Sequence, residues 1–293
     1  MDSTETISPR YVGLDTRDDA NILEALVEGQ ERAVAAARAA RPALAAAAGA
    51  IVGRLGDTGR IVYIGAGSSG IIAALDGMEL AGTFGWPEER VAYLLAEGDR
   101  IRAFTGAPED DPENGRKAIA SVGSVARDVV IAVAASGSTP FTLAAVAAAA
   151  EQGALTVGLA SNADAPLLAA VDLPVFLDSG PEVIVGSTRM AAGTAQKAAL
   201  NMLSTLVMIR LGRVIDGLMV DVLVDNTKLR LRAIRMLACL AGCDEAAAGK
   251  ALDACGGRVR PAALVARGLS RGEAEAALAN AGGNLRKALA SLG

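Results

Sequence analysis

The chain has 293 residues, is 52% hydrophobic but only 3% aromatic, carries a net charge of −5, and contains no histidine. No basic face stands out, which argues against a general nucleic-acid binder. The absence of histidine excludes every Ser–His or Cys–His nucleophile mechanism and leaves proton transfer to carboxylates, Lys, Tyr or Cys.

Residues 1–17 are polar and irregular and read as an N-terminal arm. Residues 18–55 are alanine-rich and helical, with a break expected at Pro42. From Arg60 short apolar runs alternate with helical segments, and strands are expected at 60–64, 91–96, 128–135, 154–160 and 172–177. That alternation implies an α/β architecture, a parallel five-stranded sheet flanked by helices. Residues 187–212 and 217–240 read as two further helices, with Gly212 and Gly217 as stop and restart. From about 242 the texture changes to short helices punctuated by glycine, expected to form a small three-helix subdomain. Asp244 and Ser270 are candidate N-caps there, Ser270 with Glu273 as a capping box. The expected domains are thus 1–17, 18–241 and 242–293.

Cys239, Cys243 and Cys255 form no metal-ligand spacing, so no metal site is expected and the three read as buried apolar thiols on the C-terminal helices. The N-terminus lacks a basic segment followed by an apolar one, and no uninterrupted apolar segment reaches about 18 residues. A soluble, cytoplasmic protein without a membrane partner is expected.

Two small-residue turns carry the functional signal. Ile61–Ile64 leads into Gly65-Ala66-Gly67-Ser68-Ser69-Gly70, and Val129–Ala134 leads into Ala135-Ser136-Gly137-Ser138-Thr139-Pro140. Glycine allows close backbone approach, and a helix N-terminus offers unpaired N–H groups and a positive dipole end. Ser and Thr hydroxyls donate to phosphate oxygens without adding charge. Two such turns in one sheet point to a small phosphorylated ligand at the carboxyl ends of the strands. Gly65, Gly67 and Gly70 also satisfy a dinucleotide-type spacing. The acidic residue expected about 20 residues on is missing, because Glu88 and Glu89 read as a solvated turn. No P-loop motif is present. Ser68, Ser69, Ser136, Ser138 and Thr139 are the candidate phosphate and sugar ligands, and each serves a helix cap equally well.

With these turns on the page, the chain resembles the sugar isomerase (SIS) domain, a flavodoxin-like phosphosugar-binding fold. More narrowly it resembles the N-acetylmuramic acid 6-phosphate etherases over nearly its full length. The resemblance rests on Thr4-Glu5-Thr6, the Gly65–Gly70 turn, Leu75–Glu79, Gly106–Asp111, the Ala135–Pro140 turn, Gly186–Lys197, Asn201–Thr205 and Leu218–Val222. It implies a carbon–oxygen lyase of amino-sugar catabolism and peptidoglycan recycling. The family cleaves the D-lactyl ether at C3, by elimination and then hydration, to N-acetylglucosamine 6-phosphate and D-lactate. No cofactor is implied, and a homodimer is. Glu79 matches the family's acid and Glu109 its second acid/base residue. One carboxylate removes the C2 proton of the open-chain aldehyde; a second, protonated carboxyl assists departure of the lactate oxygen. Glu182, Ser187, Thr188 and Arg189 form a third candidate cluster, with Arg189 facing either the lactyl carboxylate or Glu182. Lys197 reads as a surface charge.

The chain departs from the family pattern in three places. Ile71-Ile72-Ala73 stands for Arg-Leu-Gly, Leu80–Thr83 for Cys-Pro-Pro-Thr, and Ala191 for a lysine. Two cations near an anionic substrate are thereby lost. Two other readings remain open at this point: a non-catalytic phosphosugar-sensing regulator and an amino-sugar-phosphate aldose–ketose isomerase.

Overall fold

A computed structural model of the chain describes residues 3–98, 106–222, 224 and 226–292. The chain forms two compact units, one of Met1–Gly77 with Glu89–Ser204, the other of Met78–Glu88 with Thr205–Gly293.

In the first unit α1 (Asp19–Ala39) and α2 (Arg41–Leu55) precede the sheet. The break falls at Ala40, and Pro42 sits in the first turn of α2, where its missing N–H would have had no helical partner. Then follow β1 (Ile61–Gly65), α3 (Gly67–Phe84), β2 (Val91–Leu95), α4 (Pro112–Ser121), β3 (Val129–Val133), α5 (Pro140–Glu151), β4 (Leu155–Ala160), α6 (Pro166–Ala170), β5 (Leu173–Phe176) and α7 (Ala191–Arg210). Helices α3 and α7 each begin in the first unit and end in the second.

All five expected strands form, in the order β2-β1-β3-β4-β5, and every pairing is parallel. Strands β1 and β3 are buried at all five positions, as central strands covered on both faces must be. Val62, Ile64, Val130 and Ala132 pack with Phe141, Val146 and Leu167 into one core layer. The N-terminal arm is ordered into short 3-10 turns at Ser3–Glu5, Pro9–Tyr11 and Leu14–Thr16, because Tyr11 and Leu14 bury against Ala25 and Val183.

The second unit differs from expectation at its start. Val214–Ile215 (β6) and Leu218–Met219 (β7) pair as a hairpin whose central residues, Asp216 and Gly217, both have positive φ. A type I′ turn demands that geometry, so the helix expected from 217 begins only at α8 (Thr227–Ala241). Four helices follow where three were expected: α9 (Glu245–Ala254), α10 (Val259–Ala266), α11 (Arg271–Asn280) and α12 (Leu285–Ala290). Asn284 caps α12 by accepting from the Lys287 amide, which turns the Gly282-Gly283-Asn284 stop into a restart. The Asp244 cap and the Ser270–Glu273 capping box both form. Ala233, Met236 and Leu237 of α8 share a core with Leu252, Ala262, Leu264 and Leu285, so α8 packs with the C-terminal helices. Of the cysteines only Cys255 is buried; Cys239 is exposed. Among the described residues no helix is long and apolar enough to cross a membrane, and no cluster of residues suits a metal.

Candidate active site

The strand order reverses between β1 and β3: from β1 the chain moves through α3 to β2 on one side, and from β3 through α5 to β4 on the other. Loops leaving the carboxyl ends of such a pair diverge and open a crevice. Both Ser-rich turns lie there. Gly65 and Gly70 hold the first one tight, since a Cβ on Gly65 would stand 2.8 Å from the Gly70 Cα. Gly137 of the second turn has φ +70° and no room for a side chain, with the Ala165 methyl 2.4 Å from where its Cβ would be.

Ser68 and Ser69 occupy the first turn of α3, Ser68 half-buried and Ser69 buried. Ser138 is exposed, and both its amide and its hydroxyl donate to Ser136 Oγ, at 3.2 and 3.1 Å. The Ser136 carbonyl accepts from Asn162 Nδ2 at 3.2 Å. Thr139 stands at the N-cap of α5 without using its side chain as a cap.

Glu109 lies on a 3-10 turn (Ala107–Asp110), half-buried. A methyl on Gly67 would stand 4.0 Å from Glu109 Oε2, which puts this carboxyl beside the first glycine turn. Glu97, just past β2, accepts from the Gly67 amide at 2.8 Å and so caps α3. Burial, then the negative charge of Glu97, then that of Asp110, raise the pKa of Glu109 above the ordinary glutamate value. Glu97 escapes notice in the sequence because a lone glutamate after a strand reads as solvated.

Glu182 is wholly buried, and its carboxylate accepts from the Ala191 and Ala192 amides at 3.0 and 2.9 Å. It therefore caps α7. Burial raises its pKa, while those amides and the charge of Arg32 pull it back. Ser187 and Thr188 belong to the segment that Glu182 ties down, Ser187 half-buried. Arg189 is exposed and has no ion-pair partner among the described residues. Ala191, in the place of the family's lysine, is fully buried. Ile71, where the resemblance implies a cation, is 38% exposed.

Lys197 is not a mere surface charge. It is half-buried, and its Nζ donates to Asn201 Oδ1. Asn201 Nδ2 donates in turn to Asp76 Oδ1 at 2.6 Å, joined by Ser204 Oγ at 2.9 Å, while the Tyr63 hydroxyl donates to Asp76 Oδ2 at 2.7 Å. Burial raises the Asp76 pKa; the three donors and the Lys197 charge oppose it. The i, i+3 and i, i+4 spacing of Lys197, Asn201 and Ser204 along α7 is the signal that could have revealed this network.

The first unit thus holds the two Ser-rich turns, Glu109, Glu97, and the Glu182–Arg189 segment. Glu79 lies on the part of α3 that belongs to the second unit, and is exposed.

The family model of the glucokinase regulatory protein N-terminal SIS domain matches residues 43–150. The solved structure of the Escherichia coli CFT073 protein c3406 superposes with a TM-score of 0.50 at 19% identity, covering 69% of this chain and 97% of that one, which shows the shared fold. The N-acetylmuramic acid 6-phosphate etherase of Deinococcus radiodurans is 49% identical over 98% of this chain and 94% of its own length. The Streptomyces avermitilis enzyme of the same name is 42% identical over 99% and 94%. With its doubled Ser-rich turns at the strand-order reversal and this likeness along nearly its whole length, the chain belongs to the N-acetylmuramic acid 6-phosphate etherase family.

Proposed function

We propose that the protein is a carbon–oxygen lyase that cleaves the D-lactyl ether of N-acetylmuramic acid 6-phosphate to N-acetylglucosamine 6-phosphate and D-lactate. The observation that carries this reading is the half-buried Glu109 carboxyl beside the Gly67 turn, with its pKa raised. A carboxylate whose pKa is raised is a stronger base than an ordinary glutamate.

Ser68, Ser69, Ser136, Ser138 and Thr139 hold the phosphate and sugar hydroxyls, and Ser187, Thr188 and Arg189 receive the lactyl carboxylate. Glu182 acts by fixing the start of α7. In the open-chain aldehyde Glu109 takes the C2 proton. The C3–O bond then breaks, and Glu79 delivers a proton to the departing lactate oxygen. The C2–C3 double bond is conjugated with the aldehyde, so water adds at C3 and C2 regains a proton. Elimination and hydration together are redox-neutral, and no electron carrier enters.

The names of the relatives favour this reading over the regulator and the isomerase. The proposal extends to a cytoplasmic homodimer serving amino-sugar catabolism and peptidoglycan recycling. Leu23, Val27 and Val34 along α1 support the dimer, being 61%, 49% and 54% exposed.

The test is D-lactate release from N-acetylmuramic acid 6-phosphate, together with exchange of the C2 hydrogen in deuterated water. Glu109→Gln should lose both. Glu79→Gln should lose release by orders of magnitude yet keep exchange. Near-normal release in either variant removes that residue from the scheme.

A further inference from the structure

Thr4-Glu5-Thr6 has no part in the scheme above, yet the fold seals Thr4 from solvent entirely, at 0% exposure. The apolar anchor of the arm lies further on, where Tyr11 and Leu14 pack with Ala25 and Val183. Thr4 is buried instead against polar groups of two loops. Its carbonyl accepts from the Gly186 amide at 3.2 Å. Its amide faces Asn162 Oδ1 and its hydroxyl faces Asn162 Nδ2, both at 3.5 Å, so the arm meets both ends of that carboxamide.

Asn162 stands two residues past β4, at the carboxyl end of the sheet, and is 5% exposed. Its Nδ2 also donates to the Ser136 carbonyl at 3.2 Å. One side chain therefore touches both the arm and the second Ser-rich turn. The Gly186–Thr4 bond then joins the arm to the loop that carries Ser187, Thr188 and Arg189. That contact is close: a Cβ on Gly186, whose φ is +72°, would stand 3.0 Å from Glu5 Oε2. Residues 181–190 belong to no helix or strand, so the loop keeps its place through contacts of this kind together with the Glu182 cap.

We propose that Thr4 and Asn162 are positioning residues, through which the N-terminal arm holds the second Ser-rich turn and the Gly186–Arg189 loop at the spacing needed to grip one phosphosugar at two ends. The inference rests on the reading that the turn binds the phosphate and the loop the lactyl carboxylate. Two modest grips act as one strong grip only where geometry lets both engage at once. Slack between them costs affinity for the whole molecule and none for its separate parts. Thr4 and Asn162 touch no reacting atom in this scheme; they act through the Ser136 carbonyl and the Gly186 amide.

The experiment measures KM and kcat for D-lactate release from N-acetylmuramic acid 6-phosphate, with inorganic phosphate and D-lactate as competitive inhibitors that each occupy one end. Asn162→Leu should raise KM roughly tenfold and Thr4→Gly several-fold, with kcat less affected. Thr4→Ser, which keeps the hydroxyl, should stay near wild type. In Thr4→Gly the inhibition constants of both fragments should remain within about twofold of wild type, whereas a merely structural lesion would weaken them along with KM. Amide hydrogen exchange on the free protein gives a readout independent of the reaction: both variants should exchange faster at 186–189 and be unchanged at 65–70. If Asn162→Leu loses its circular dichroism, Thr4→Gly decides. Unaltered KM or unaltered exchange at 186–189 in the folded variants, or fragment constants that rise in step with KM, overturns the inference. Ser138→Ala separates the two failures. If KM rises there but not in the arm variants, the role of the arm falls and the phosphate reading stands. If KM is unaltered there as well, or the wild-type chain releases no D-lactate, both fall.

Discussion

Gly65 at the end of β1 and Gly70 in the first turn of α3 face each other so closely that a Cβ on Gly70 would stand 2.8 Å from the Gly65 carbonyl group. Backbone lies on both sides of this contact, so no side chain can swing away to make room. Gly70→Ala should cost about 1–3 kcal/mol through forced displacement of the turn, read as a lower thermal midpoint. Because Ser68 and Ser69 ride on that turn, KM for the phosphosugar should rise in the same variant.

Under the proposed scheme the Glu109–Glu97 pair should set the acid limb of the pH–rate profile. In the proposed scheme Glu109 is the base and must be deprotonated, so activity should fall as pH drops through its pKa. Burial and the charge of Glu97 both raise that pKa. Glu97→Gln removes the like charge and leaves burial in place. The acid limb of kcat/KM should therefore move to lower pH, toward the ordinary glutamate value, without disappearing. A limb that stays put, or moves upward, would disconnect Glu97 from Glu109.

Tyr63→Phe tests the buried network. The variant removes one of three donors to Asp76 while its ring packing beside Tyr93, 6.3 Å between centroids, is kept. A hydrogen bond to a charged group is worth about 1.5–3 kcal/mol, so urea denaturation should show a loss in that range. The sign of the pH dependence follows from the raised Asp76 pKa. Its contribution to stability is fully present below the unfolded-state value of 3.8 and declines as pH rises through the higher folded-state value. Losing the Tyr63 donor raises the folded pKa further, so the penalty of the variant should shrink toward acid pH.

Ser138→Ala isolates the second turn. The substitution deletes an exposed hydroxyl that donates to Ser136 Oγ. If Ser138 holds the phosphate as proposed, loss of one hydrogen bond to it costs about 1.5–3 kcal/mol, so KM should rise roughly tenfold or more, with kcat much less affected. An equal fall in kcat would assign Ser138 a part in the chemical step.

The sheet was legible because central parallel strands are continuous apolar runs, and Val129–Val133 can hardly be anything else. Both Ser-rich turns were legible from their glycines. The β6–β7 hairpin was not, because Asp216-Gly217 takes its meaning from two positive φ angles, and the same letters also punctuate helices. Lys197 looked like a surface charge, since a single chain of letters does not reveal that α7 brings Asn201 and Ser204 to the Asp76 carboxylate. Glu182 shows the converse: its place near the Ser187–Arg189 segment was readable, while its use as a helix cap depends on the fold.

The reversal of strand order between β1 and β3 has an evolutionary reach. The gap between the two diverging loops arises from the path of the main chain, so its existence does not depend on which side chains border it. A change at the exposed Ile71 can therefore shift selectivity while the opening itself persists. A lineage can retune its ligand by small edits without first inventing a new hollow, and point changes along these turns are the natural starting library for redirecting the protein to another phosphorylated sugar.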